Sequence, residues 1–163
     1  MYRRFSIRPH DTQTAGFTLL ELLVVFAIIL IMATISIQGF ANYARTQQYT
    51  RFVEEVGHEI DLARQATLAS KDDVTYGVYV GTSTIEFFAG ATPVVGSVNN
   101  TIIDLSGSTK TATSSFSDSN WYITFSRLSG EASATGTILL GDTDLGRSAS
   151  YTVRSSGLIE LSI

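Results

Sequence analysis

Positions 17–37, FTLLELLVVFAIILIMATISI, hold 17 apolar side chains out of 21 and a single charged one, Glu21. At 1.5 Å per residue this stretch spans about 31 Å as a helix, which matches a hydrocarbon core of about 30 Å. Such a segment has to be immersed in lipid or in other protein, and the chain beyond it folds as a tethered body. Residues 1–16 are polar and basic, with Arg3, Arg4 and Arg8 against Asp11, and the next basic residue is Arg45. The positive-inside rule then puts residues 1–16 in the cytoplasm and everything beyond residue 40 across the membrane.

Charge and composition narrow the function classes. The chain has 11 Lys+Arg and 15 Asp+Glu; residues 1–16 take 3 and 1 of these, which leaves 8 against 14, a net of -6. An acidic body without a Lys/Arg run is a poor general polyanion binder, so no nucleic-acid partner is expected. The absence of cysteine excludes a disulfide-stapled fold, a Cys metal site and a Cys nucleophile.

The chain divides into four regions: residues 1–16, 17–37, 38–72 and 73–163. In the third, Phe52, Val53, Val56, Ile60, Ala63 and Thr67 recur at helical spacing, while Arg51, Glu55, Glu59 and Arg64 fall largely off that stripe. Residues 17–70 are expected to form one helix of about 80 Å, weakest at Thr34–Gly39, where β-branched residues and a Gly lower helix propensity. From residue 74 the pattern becomes short β-rich runs at 74–80, 84–89, 94–98, 101–105, 121–128, 136–140, 149–154 and 158–163, divided by turn residues. Residues 106–120 contain 9 Ser/Thr in 15 and are expected to be a mobile loop.

Gly16-Phe17-Thr18-Leu19-Leu20-Glu21 is the sharpest motif. A carboxylate inside an apolar helix costs about 2.5–3.5 kcal/mol at mid-bilayer and less near the interface, so Glu21 needs a partner or a function. A secretory signal peptide would have a shorter apolar run followed by small residues at a cut site, and a plain signal anchor leaves Glu21 unexplained. The motif resembles the class III signal peptide of type IV pilins and of the pseudopilins of type II secretion. The resemblance implies a cut between Gly16 and Phe17 by a prepilin peptidase that also methylates the new N-terminus on Phe17, and it makes Glu21 the assembly carboxylate. It further implies other pilins or pseudopilins as filament partners, an inner-membrane assembly platform, and no cofactor.

A second resemblance lies in the segments 123–130, 136–140 and 151–159, which look like the soluble domain of H-type pseudopilins. The fold expected is α+β and pilin-like: one long N-terminal helix, membrane-spanning in its first half, packed on an antiparallel β domain of two sheets. The function implied is a minor pseudopilin or pilin of a type II secretion or type IV pilus filament in the inner membrane; the alternative is a minor pilin for DNA uptake or adhesion. A DNA-binding relative carries arginines in its last turn, where this chain has Gly157-Leu158-Ile159-Glu160.

Other sites are weaker. Asp142 and Asp144 have the spacing of Ca²⁺ ligands, but the twelfth position of an EF-hand loop would be Val153, so no metal is expected. His58 lies near Glu54 and Glu55 on the expected helix. The chain has no Gly-x-Ser-x-Gly, and its other histidine is His10 in the leader, so no enzyme activity is expected.

Overall fold

The stripe from Phe52 to Thr67 fixes how the outer part of the helix meets the rest of the chain. In the computed structural model, which describes residues 16–163, helix α1 runs from Leu19 to Leu68, 50 residues, and is continuous through residues 34–39. The side chains of residues 36–38 lie outside the described part, as do residues 1–15 of the expected leader. The chain divides into two compact units, one up to Asn42 and one from Tyr43 to Ile163.

In the second unit every residue of the stripe is buried, and Tyr49 joins it one turn earlier. A single 3₁₀ turn, Lys71–Asp73, comes after the helix. Eight strands come next: β1 (Tyr76–Val80), β2 (Thr84–Ala89), β3 (Thr101–Asp104), β4 (Lys110–Phe116), β5 (Tyr122–Thr124), β6 (Gly136–Asp142), β7 (Arg147–Val153) and β8 (Ile159–Ser162). They form two four-stranded antiparallel sheets, in the orders β3-β2-β1-β5 and β4-β6-β7-β8. The architecture is α+β and pilin-like, a long helix packed on two antiparallel sheets.

The inner faces obey the period of two that a half-buried strand requires. Val78, Val80, Ile85, Phe87 and Ile123 point inward from the first sheet, and Ile138, Leu140, Ala149, Tyr151 and Val153 from the second, into one core with the helix stripe. Among the described residues, three hydrogen bonds fasten the helix to the strands. Tyr49 Oη donates to Leu140 O (3.3 Å), Tyr151 Oη donates to Val53 O (2.9 Å), and Tyr76 N donates to Thr67 Oγ1 (3.0 Å).

Three expectations are corrected. Residues 106–120 are not a loop throughout, because β4 occupies Lys110–Phe116, with Ala112 and Phe116 buried and Thr111, Thr113 and Ser115 turned to the other face. Residues 94–98 are not a strand but a turn segment held by Glu86. The run 121–128 yields only three strand residues; beyond them Phe125 bridges to Ala132 and the chain turns through residues 127–129.

Glu86 shows why β2 is buried on both faces. Opposite Tyr79 on the outer face of the first sheet, it is 1% exposed. Its carboxylate accepts hydrogen bonds from Gly96 N (2.8 Å), Asn100 Nδ2 (2.8 Å) and Thr84 Oγ1 (3.3 Å). A buried carboxylate survives without a counter-ion when several donors converge on it, and here two of the three come from the segment that covers it.

Candidate functional site

The first unit carries the motif residues. Gly16, Phe17 and Thr18 precede the helix, and Thr18 caps it: Thr18 Oγ1 accepts from Glu21 N (3.2 Å) and Thr18 O from Leu22 N (3.2 Å). Glu21 therefore sits at the third helical position of a Thr-x-x-Glu start, where an acidic side chain also faces the positive end of the helix dipole. It is the only charged residue between positions 17 and 44. Farther along, Thr34 Oγ1 donates to Ile31 O (2.8 Å), which satisfies its hydroxyl within the helix.

Nothing in the fold requires glycine at position 16, since a Cβ there would meet no atom within 4 Å and the residue shows no left-handed φ. The apolar side chains beyond it are exposed, Phe17 by 79% and Leu19 by 85%. The helix is long and apolar enough to cross a membrane, and among the described residues none of its most apolar window is buried. A surface of this kind is stable only in lipid or against other apolar helices, which suits it for membrane anchoring.

Two of the segments that carry the second resemblance, 123–130 and 151–159, meet at one point of the β domain. Gly130 and Gly157 both take left-handed φ, +67° and +75°. A Cβ on Gly157 would lie 3.1 Å from the Gly130 carbonyl carbon, tighter than side chains ordinarily approach. Arg64 of α1 reaches both turns, its Nε donating to Gly130 O and its Nη2 to Ser156 O, each at 3.4 Å. Sequence reading places Arg64 off the apolar stripe but gives no hint of these partners. In the turn after β7, Arg154 Nη2 pairs with Glu160 Oε2 at 2.7 Å.

Asp142 and Asp144 border one surface cavity with Thr109 and Leu145. Asp142, 8% exposed, accepts from Asp144 N and Leu145 N through Oδ1 (3.0 Å each) and from Thr109 Oγ1 through Oδ2 (3.0 Å). Its carboxylate closes the β6–β7 turn, and Asp144 contributes a backbone N–H while its side chain is exposed. Among the described residues, no three His, Asp or Glu side chains gather as metal ligands would. His58, Glu54 and Glu55 are exposed on the helix, and among the described residues no hydrogen bond or ion pair joins them.

An apolar N-terminal helix with a lone carboxylate in its first turn, running into an antiparallel β domain, is a pilin-like architecture. Comparison with known proteins finds similarity over the N-terminal part of the chain. Residues 12–37 match the prokaryotic N-terminal methylation motif. Two curated relatives from Pseudomonas aeruginosa, each described as "Fimbrial protein", are 43% identical over 60 residues, which cover 37% of this chain. The matched region spans 39% of the length of those relatives. No solved structure matches the chain significantly.

Proposed function

We propose that the protein is a minor subunit of a short filament, assembled through its apolar helix after removal of a prepilin leader, and that it belongs to the H-type pseudopilins of type II secretion. A prepilin peptidase cuts between Gly16 and Phe17 and methylates the amine of Phe17, and Glu21 is the carboxylate used in assembly. Residues 1–16 lie in the cytoplasm and the β domain lies on the outer side of the inner membrane. The partners are other pilins or pseudopilins and a membrane assembly platform. Its role is mechanical, with no cofactor, metal or catalytic residue.

The observation that carries this reading is a glycine the fold does not need, placed just before a helix whose apolar part, up to position 44, has one charge, in its first turn. A plain anchor accounts for the helix but for neither the Gly nor the Glu. The relatives' description as fimbrial proteins favours a second reading, a minor pilin of a type IV pilus.

Intact-mass measurement of the membrane-extracted protein tests the processing step. The expected mass lacks residues 1–16 and gains one methyl group, and Gly16→Arg leaves the uncut precursor in the membrane. A mature N-terminus elsewhere, or an uncut wild-type chain, overturns the reading. A deletion strain separates the two machines: a secretion subunit leaves exported proteins inside the cell envelope, whereas a pilus subunit removes surface fibres.

A further inference from the structure

Among the described residues, the second sheet ends in a strand, β8, whose outer edge has no partner strand, beside an apolar groove. The pair Arg154 and Leu158 is hydrogen-bonded, Arg154 N donating to Leu158 O (2.9 Å). In an antiparallel ladder hydrogen-bonded pairs recur every second residue, so Thr152 and Glu160, then Ser150 and Ser162, are bonded across the same register. The main-chain groups of Ile159 and Leu161 must then point away from β7, outward along the sheet. This edge is accessible, with Leu161 45% and Ile163 92% exposed.

The edge at β5 is closed by contrast. The outward groups of Thr124 on β5 are taken by Ser133, whose N–H donates to Thr124 O (2.8 Å) and whose Oγ accepts from Thr124 N (3.0 Å).

Leu161 lies opposite Tyr151, so its side chain is on the core side of the sheet. There, a groove of about 330 Å³ opens between α1 and the ends of β7 and β8, with Tyr49, Val53, Ala149, Leu161 and Ile163 as its apolar walls. Arg147 on the strand side and Glu54 on the helix side border the groove. Neither has an ion-pair partner among the described residues.

We propose that β8 accepts an extended segment of a partner protein as a fifth strand of the second sheet, with every second side chain apolar and seated in the groove. The occupant has to be a strand, because only an extended backbone satisfies N–H and C=O groups spaced along an open edge. The apolar walls select the alternate residues, and the two unpaired charges select an acidic residue facing Arg147 and a basic one facing Glu54. This surface belongs wholly to the β domain and the helix stripe packed on it, so it does not depend on the processing or the membrane role proposed above.

The test uses the full-length protein in detergent micelles and a ten-residue synthetic peptide alternating valine and threonine, with one glutamate and one lysine near opposite ends. Saturable binding is expected, with a Kd below about 1 mM. Amide hydrogen exchange gives the specific signature. The amides of Leu161 and Ile163 should become protected on binding, while those of Glu160 and Ser162, already paired with β7, change little.

Arg147→Glu should weaken binding about tenfold, and a peptide with lysine in place of its glutamate should restore it. A peptide N-methylated on alternate residues along its bonding edge should not bind, a control that leaves the protein untouched. The absence of binding, protection without the alternation, or equal binding of the N-methylated peptide overturns the proposal. Self-association of the chain through β8 that the peptide does not displace also overturns it, because the occupant would then be a second copy.

Discussion

The phenol ring of Tyr151 occupies the space where residue 57 would carry a side chain. A Cβ on Gly57 would lie 2.7 Å from Tyr151 Cζ and closer still to the hydroxyl oxygen, which donates to Val53 O one turn earlier on the same helix. Two opposing effects meet here. Gly→Ala in a helix gains about 1 kcal/mol in propensity, whereas overpacking a filled site costs about 1–3 kcal/mol. Tyr151 is 7% exposed and bonded at its tip, so the ring has little room to retreat and overpacking should win. Gly57→Ala is expected to lower the urea midpoint of the detergent-solubilised protein, and a raised midpoint would refute the contact.

Burial raises the pKa of Tyr151, with the negative charges of Asp61 and Glu54 adding to it. A group that holds its proton more tightly folded than unfolded contributes stability that is whole below its unfolded value, about 10, and is lost as pH rises through the higher folded value. The wild type is therefore expected to lose stability steeply above pH 10, and Tyr151→Phe should show a shallower decline there. At neutral pH the Phe variant lacks one hydrogen bond, a loss of about 0.5–1.5 kcal/mol. Urea midpoints measured between about pH 8 and 11.5, a window spanning the ordinary tyrosine value, check this; parallel curves for the two proteins would exclude Tyr151 as the titrating group. Tyr49, raised by burial and then by Asp142, leaves part of the alkaline decline in the variant.

The helix, its buried stripe and the alternating strands were legible because each carries its own period: 3.6 along Phe52, Val56 and Ile60, and two along Val78 and Val80. The features that escaped the sequence depend on contacts distant along the chain. β4 reads as a loop because its outward residues are Thr and Ser, and only the inward Ala112 and Phe116 mark it as a strand. The valines at 94, 95 and 98 read as a strand by composition, yet Gly96 and Asn100 fold their segment around a carboxylate. Glu86 holds an outward position of β2, and its burial results from where residues 94–100 return. The groove beside β8 is of the same kind, since it joins residues 49–54 to residues 147–163.

Glu86 gives a third test. Its carboxylate binds the N–H of Gly96 and the amide of Asn100, so Glu86→Ala leaves both donors without their acceptor beneath the segment. Bonds to a charged group contribute about 1.5–3 kcal/mol each, and the substitution should destabilise the β domain by at least one such amount. Hydrogen exchange should also quicken first at residues 94–100. A uniform loss of protection across both sheets would mean that the segment is not a separate local unit.

Asp142 separates a turn from a metal site. Both its oxygens are occupied by donors from Thr109, Asp144 and Leu145, so Asp142→Ala should cost about 2–4 kcal/mol. Calcium at millimolar concentration is expected to leave the thermal midpoint of the wild type unchanged. A calcium-dependent rise that Asp142→Ala abolishes would instead make these aspartates ligands.

The last test concerns Glu21 and rests on the proposed processing. Cutting after Gly16 would leave an amine on Phe17, mostly protonated at an ordinary α-amino pKa of about 7.7–8, and methylation keeps its charge. Four residues along a helix amount to about 6 Å, so a neighbour shifted axially by that distance can bring its amine to this carboxylate. In lipid the pair fixes register, which apolar side chains alone fix poorly. Glu21 also holds the third position of the start capped by Thr18, so a loss of assembly could arise from a frayed helix end instead. Two variants separate these causes. Glu21→Val removes charge and polarity, whereas Glu21→Gln keeps a polar residue suited to the same capping position and removes only the charge. Both are expected to be cut and to fold, because neither touches the cut site or the β domain, and both should fail to crosslink into the filament. If Glu21→Gln assembled like the wild type while Glu21→Val did not, the helix start rather than the ion pair would be the requirement; if both assembled, Glu21 would have no role in assembly.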